Sequence, residues 1–112
     1  MAKYLFDAGS YTQALGVIKP LINNPSSIIA NTAALRAASI HLQLGQHDQA
    51  LSILDGQSED GFSGLIYNLM GDIHLDLGNR AEAKKYYSLA IDNITQNSNL
   101  TQLIQIKLDD LN

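Results

Sequence analysis

The chain has 112 residues, seven Lys plus Arg against eleven Asp plus Glu, a formal net charge of -4 and no cysteine. That length supports one domain, 1–112, with little margin, because about two thirds of the unfolded surface is buried at this size. The missing cysteine excludes disulfides, a thiol nucleophile and thiolate metal sites, while cations spread singly except at Lys84–Lys85 argue against a nucleic-acid partner, which needs a concentrated basic track.

No apolar run approaches the roughly 20 residues needed to cross a bilayer. Met1–Leu21 shows neither a basic start nor a long apolar core, so no signal peptide is visible within these residues. Taken in chain order, turn and cap signals place helical segments at about 2–8, 11–22, 28–44, 47–55, 62–77, 80–94 and 99–111. The first turn falls at Gly9, the second across Asn23–Ser27, where Ser27 after Pro25 reads as a cap. The loop Gly56–Gly64, GQSEDGFSG, is rich in glycine and acidic residues, and it reads as the most mobile stretch, with Phe62 as an inward anchor.

A glycine–alanine pair recurs at Gly9/Ala14, Gly45/Ala50 and Gly78/Ala83, in GSYTQAL, GQHDQAL and GNRAEAK. Each glycine suits a left-handed exit from one helix, and each alanine suits a close crossing with its neighbour. The pairs Ser10/Gln13, Asn79/Glu82 and Asn99/Gln102 have capping-box spacing, whereas Gln46 is a poor cap. No segment alternates strictly, so strands are not expected.

The copy formed by Tyr67, Met70, Gly71, His74, Gly78, Ala83, Tyr87 and Ala90 resembles the tetratricopeptide repeat. Ala34, Ala37, Ala38, His41, Gly45, Ala50 and Leu54 form a weaker copy. The expected fold is therefore all-α, a tetratricopeptide-like hairpin array (an α-α superhelix) closed by a C-terminal capping helix. That helix carries the stripe Leu100, Leu103, Ile104, Leu108 and Leu111, with Ile106 off it. Counting back from Gly9 puts Met1 inside a first helix, so the chain reads as an excised C-terminal portion of a longer array.

A narrower resemblance is carried by LIYNLMGDIHLDLGNRAEAKKYYSLAI at Leu65–Ile91, LIQIKLDDL at Leu103–Leu111, and the opening YLFDAGSYTQAL. These resemble the YfgM-type family, bacterial inner-membrane proteins with a periplasmic tetratricopeptide domain that act as ancillary subunits of the Sec translocon. The resemblance implies a membrane anchor outside these residues, a periplasmic location, and association with the translocon and periplasmic chaperones. It implies no catalytic residues and no cofactor.

The residues themselves agree on the absence of chemistry. His41 and His74 occupy the same repeat position and read as partly buried packing residues; neither HExxH nor a close His/Asp cluster supplies further metal ligands. Asp72 and Asp76 share a helix face, yet only burial of one would make them an acid/base pair. Asp72 reads instead as a hydrogen-bond acceptor between hairpins, and Gly71 as the place where a neighbouring helix comes close. The function expected is a non-catalytic protein–protein interaction module assisting secreted-protein handover, with Asn31, Arg36, Tyr67, Asn68 and Asp72 as candidate binding residues. The alternatives are a cytoplasmic tetratricopeptide adaptor, or a regulatory or oligomerisation domain attached to an enzyme.

Overall fold

A computed structural model describes residues 8–57, 61–94 and 99–111. Its α-helices are α1 (Ala8–Ile18), α2 (Ser27–Gln43), α3 (His47–Asp55), α4 (Ser63–Asp76), α5 (Arg80–Asp92) and α6 (Asn99–Asp110), with a 3₁₀ segment at Lys19–Asn23. No strand occurs among the described residues, so the fold is all-α. The chain forms two compact units, Met1–Ser58 and Glu59–Asn112.

Both units are organised by the same turn. In the first, Gly45 takes φ 75°, its N–H donates to the Leu42 carbonyl at 3.0 Å, and the Gln46 N–H reaches the His41 carbonyl at 2.8 Å. In the second, Gly78 takes φ 84° and the same pair of bonds joins Gly78 to Leu75 and Asn79 to His74, again at 3.0 and 2.8 Å. These paired bonds satisfy carbonyls left open at a helix end, and the left-handed residue they require carries no Cβ penalty when it is glycine. The chain then reverses at once, pairing α2 with α3 and α4 with α5.

The first unit packs small side chains. Ala30, Ala33, Ala34, Ala37 and Ala38 of α2 are buried, as are Ala50 and Leu54 of α3 and Leu15 of α1. The second unit is built around one large ring. Tyr87 of α5 is fully buried with Ala83, Ala90, Ile104 and Leu111, and Tyr67, Ile91, Ile94, Leu100 and Leu108 pack around them. Burial of Ala83 agrees with a tight crossing at that repeat position.

Several local expectations need correction. Gly9 and Ser10 both lie within the helix Ala8–Ile18, so no turn forms at Gly9. The expected segment 2–8 lies almost wholly outside the described residues. Pro20 lacks a donor and would clash with the preceding turn, and the α-helix accordingly gives way at Lys19 to the 3₁₀ segment. The cap of α2 is Ser26, one residue before the expected Ser27, its Oγ accepting from the Ile29 N–H at 3.5 Å.

Asn79 precedes α5 without a side-chain cap bond, and its N–H, which a capping box would offer to Glu82, donates to the His74 carbonyl instead; the expected capping box there is absent. Asn99 is the first residue of α6 instead of a cap before it. Of the loop at 56–64, residues 58–60 lie outside the described residues, Phe62 is half-buried, and Gly64 already belongs to α4. On the capping helix, Ile104 and Leu111 are buried as expected, but Leu103 is 48 % exposed.

Candidate protein-binding surfaces

The five candidate residues fall into different environments. Asn31 is only 1 % exposed, its Nδ2 donating to the Ser27 carbonyl at 2.7 Å. Arg36, five residues further along α2, is exposed, and no hydrogen bond or ion pair of its guanidinium is found among the described residues.

Arg36 stands where two hollows of the first unit meet. One, of about 340 Å³, is lined by Leu21, Ile28, Ile29 and Ala33; the other, of about 430 Å³, by Ala14, Leu35, Ser39 and Ile40, with Ile18 and Arg36 common to both. Ile28 is 67 % exposed, and Leu21 and Ile29 also face solvent. Apolar side chains around an unpaired cation suit a partner with apolar groups and a carboxylate.

In the second unit the candidates are drawn together by α6. Lys107 Nζ donates to Asn68 Oδ1 at 3.0 Å and to Asp72 Oδ1 and Oδ2 at 3.0 and 3.4 Å. Asp72 Oδ1 also accepts from the Tyr87 hydroxyl at 2.5 Å, and the ammonium lies 5.4 Å from the Tyr87 ring centroid. Asp72 thus acts as an acceptor joining α4, α5 and α6. Burial first, and then the hydrogen bond and charge of Asp72, push the Tyr87 hydroxyl well above the usual tyrosine range, so it stays a neutral donor.

Tyr67 lies against Tyr86, ring centroids 6.1 Å apart, and His74 stacks on Tyr86 at 5.2 Å with the planes 6° apart. His41 is 4 % exposed and its Nδ1 is 2.7 Å from Gln46 Oε1. Both histidines are thus packing residues, as their shared repeat position suggests. No group of three or more His, Cys, Asp or Glu able to hold a metal occurs among the described residues.

Gly71 admits the Tyr87 ring. A Cβ on Gly71 would stand 2.5 Å from Tyr87 Cε1, inside any real contact, and the ring cannot retreat while its hydroxyl holds Asp72. Gly71→Val is therefore expected to overpack the contact and cost about 1–3 kcal/mol. Urea unfolding measures this; an unchanged midpoint would show that the ring does not depend on the missing side chain.

The residue that sequence reasoning missed is Lys107. It sits three residues after Ile104 and four before Leu111, on the buried face of α6. A lysine on that apolar stripe, following a repeat with Asn68 and Asp72 four residues apart on α4, was the available signal.

A model of the tetratricopeptide repeat-like domain matches residues 1–112. Among curated proteins, the chain is 36 % identical over 107 residues to an ancillary SecYEG translocon subunit of Neisseria gonorrhoeae, covering 95 % of this chain and 51 % of that protein. It is 39 % identical over 84 residues to the subunit of the same description from Aggregatibacter actinomycetemcomitans, covering 75 % and 40 %. The Haemophilus influenzae subunit is 30 % identical over 91 residues, covering 81 % and 44 %. The chain thus spans about half the length, or less, of these relatives. No solved structure matches it.

Proposed function

This chain belongs to the tetratricopeptide repeat-like domain family and is homologous to ancillary SecYEG translocon subunits, and on that premise we propose that it is a periplasmic protein-binding module of an inner-membrane, translocon-associated protein. Its proposed role is non-catalytic, in keeping with relatives described as ancillary subunits. Its work is to hold protein segments during handover of secreted chains, with the translocon and periplasmic chaperones as partners. The observation that carries this reading is the likeness, over nearly the whole chain, to proteins described as ancillary subunits of that translocon.

The exposed hollows around Arg36 support it as a place for a partner to dock. Unit Met1–Ser58 balances three cations with three anions, so the net charge of -4 resides in the second unit. Long-range attraction to basic segments then belongs to the second unit, and contact with a carboxylate to Arg36.

The test is co-purification of SecYEG from inner membranes with the natural full-length protein, at low and moderate salt. Arg36→Glu is expected to reduce capture at low salt about fivefold or more, since reversing a charge at a docking surface both removes an attraction and adds a repulsion. Failure of the unaltered protein to retain SecYEG or any periplasmic chaperone would overturn the proposal.

A further inference from the structure

The outer face of α6 carries chemistry that the packing of its own unit does not use. Leu103 and Ile106 are 48 % and 58 % exposed, and Asp110 follows them on the same stripe, because residues three, four and seven apart share one helix face. Asp110 is exposed, and no hydrogen bond or ion pair of its carboxylate is found among the described residues. It stands at the C-terminal end of α6, where the negative pole of the helix dipole favours a cation. Lys107, the basic residue of that last turn, is already held by Asn68 and Asp72, and Asp109 accepts from Gln105 at 3.1 Å.

The hollow of about 340 Å³ in the first unit presents the complementary set: exposed Ile28 and Ile29 at one end of α2, the small Ala33 in the middle, and the unpaired Arg36 guanidinium at the other end. The two sets share a spacing. Seven residues separate Ile29 from Arg36 and seven separate Leu103 from Asp110, about 10.5 Å along either helix. In both helices the apolar residue comes first and the charge last. An α6 laid parallel to α2 therefore brings Leu103 to Ile29, Ile106 over Ala33 and Asp110 to Arg36 together. Leu75 and Leu77, the exposed apolar residues at the end of α4, lie two apart and offer no such face.

We infer that the outer face of α6 in one copy docks in the Arg36 hollow of a second copy, joining chains head to tail. The charge distribution selects this pairing. The first unit is balanced and the second carries the net charge of -4, so an α6 set against another α6 would oppose two anionic units, whereas an α6 set in the hollow does not. Because the two patches differ, each copy keeps one free hollow and one free α6, and association continues past a dimer or closes into a ring. One helix face is a small contact beside the roughly 1,200–2,000 Å² of stable interfaces, so the association is weak and reversible. It goes beyond the proposed translocon role and occupies the surface offered there to a partner.

The test is sedimentation velocity of the whole chain from about 10 μM to about 1 mM, a range suited to a weak contact. The weight-average mass should rise with concentration. Arg36→Glu and Asp110→Lys should each weaken the association about fivefold or more, with circular dichroism unchanged because both side chains are exposed, and the chain carrying both changes should recover it. Since the chain lacks cysteine, Ile29→Cys and Leu103→Cys report the pairing directly: mixed under a mild oxidant, they should give disulfide-linked dimers in excess of either variant alone. The inference is overturned if the chain stays monomeric throughout, if association is indifferent to both charge reversals, or if the double variant does not recover it. It is equally overturned if Leu103→Cys links best to itself, which would pair α6 with α6. A monomeric chain beside intact SecYEG capture rejects this contact alone and leaves the hollow to that partner; lost capture beside intact self-association supports the contact and rejects the translocon reading.

Discussion

Tyr87→Ala is expected to cost about 3–5 kcal/mol, the usual penalty for emptying a buried aromatic position. Tyr87 is the largest fully buried side chain among the described residues, and Ala83, Ala90, Ile104 and Leu111 share its cluster. Its ring also fills the space left by Gly71. Alanine would leave a void that these small and stiff neighbours cannot close. Against a total stability of about 5–15 kcal/mol for a domain, such a loss removes much of the margin.

Tyr87→Phe separates the ring from its hydroxyl. It keeps the packing but deprives Asp72 of one donor, and a hydrogen bond to a charged group is worth about 1.5–3 kcal/mol; Lys107 still serves the same carboxylate, which limits the loss. Denaturant midpoints should fall in the order wild type, Phe, Ala. If alanine costs no more than phenylalanine, the ring does not fill the core as described. The hydroxyl supplies an independent check. Its folded pKa is raised, so its contribution is complete below the unfolded tyrosine value of about 10 and is lost as pH rises beyond it. The alkaline decline should be shallower in Tyr87→Phe.

The hairpins were legible because their causes are local. Gly45 and Gly78 each stand where a helix must end in a left-handed residue, and 33 residues separate them. Small residues at the crossing positions, Ala50 and Ala83, are fully buried. Gly9 has the same sequence context but lies inside α1, so the motif alone does not make the turn. The boundaries that shifted did so through backbone chemistry, as with Pro20 converting the end of α1 and Ser26 replacing Ser27 as the cap.

The binding surfaces were less legible because they depend on which elements meet. Asn68 and Asp72 have the spacing of a polar helix face, yet a lysine 35 residues beyond Asp72 occupies them. Asn31 and Arg36 both look like surface polar residues, but one faces the packed interior and the other solvent. Gln46, a weak cap by residue type, indeed makes no cap bond, and its side chain lies instead against the His41 ring. Local patterns identify helix faces; only the packing assigns a neighbour to each face.

Deleting residues 99–112 is expected to abolish cooperative unfolding of the second unit. The deletion removes the buried Ile104 and Leu111 and the half-buried Leu100 and Leu108 from the Tyr87 cluster. Each fully buried leucine or isoleucine contributes about 1.5–3 kcal/mol, so the first pair alone accounts for roughly 3–6 kcal/mol. Lys107 leaves with them, and Asp72 then keeps only the Tyr87 hydroxyl of the partners described above. The loss of a partly exposed ion pair adds little by itself, so uncovered apolar surface dominates the effect. The expected result is a broadened thermal transition in circular dichroism with aggregation on size exclusion. Ile104→Ala should produce a smaller decrease, about 2–5 kcal/mol, without loss of the folded state. A truncated chain that stays monomeric and melts at the wild-type midpoint would show that α6 does not cap the unit, leaving its apolar stripe free to meet a partner.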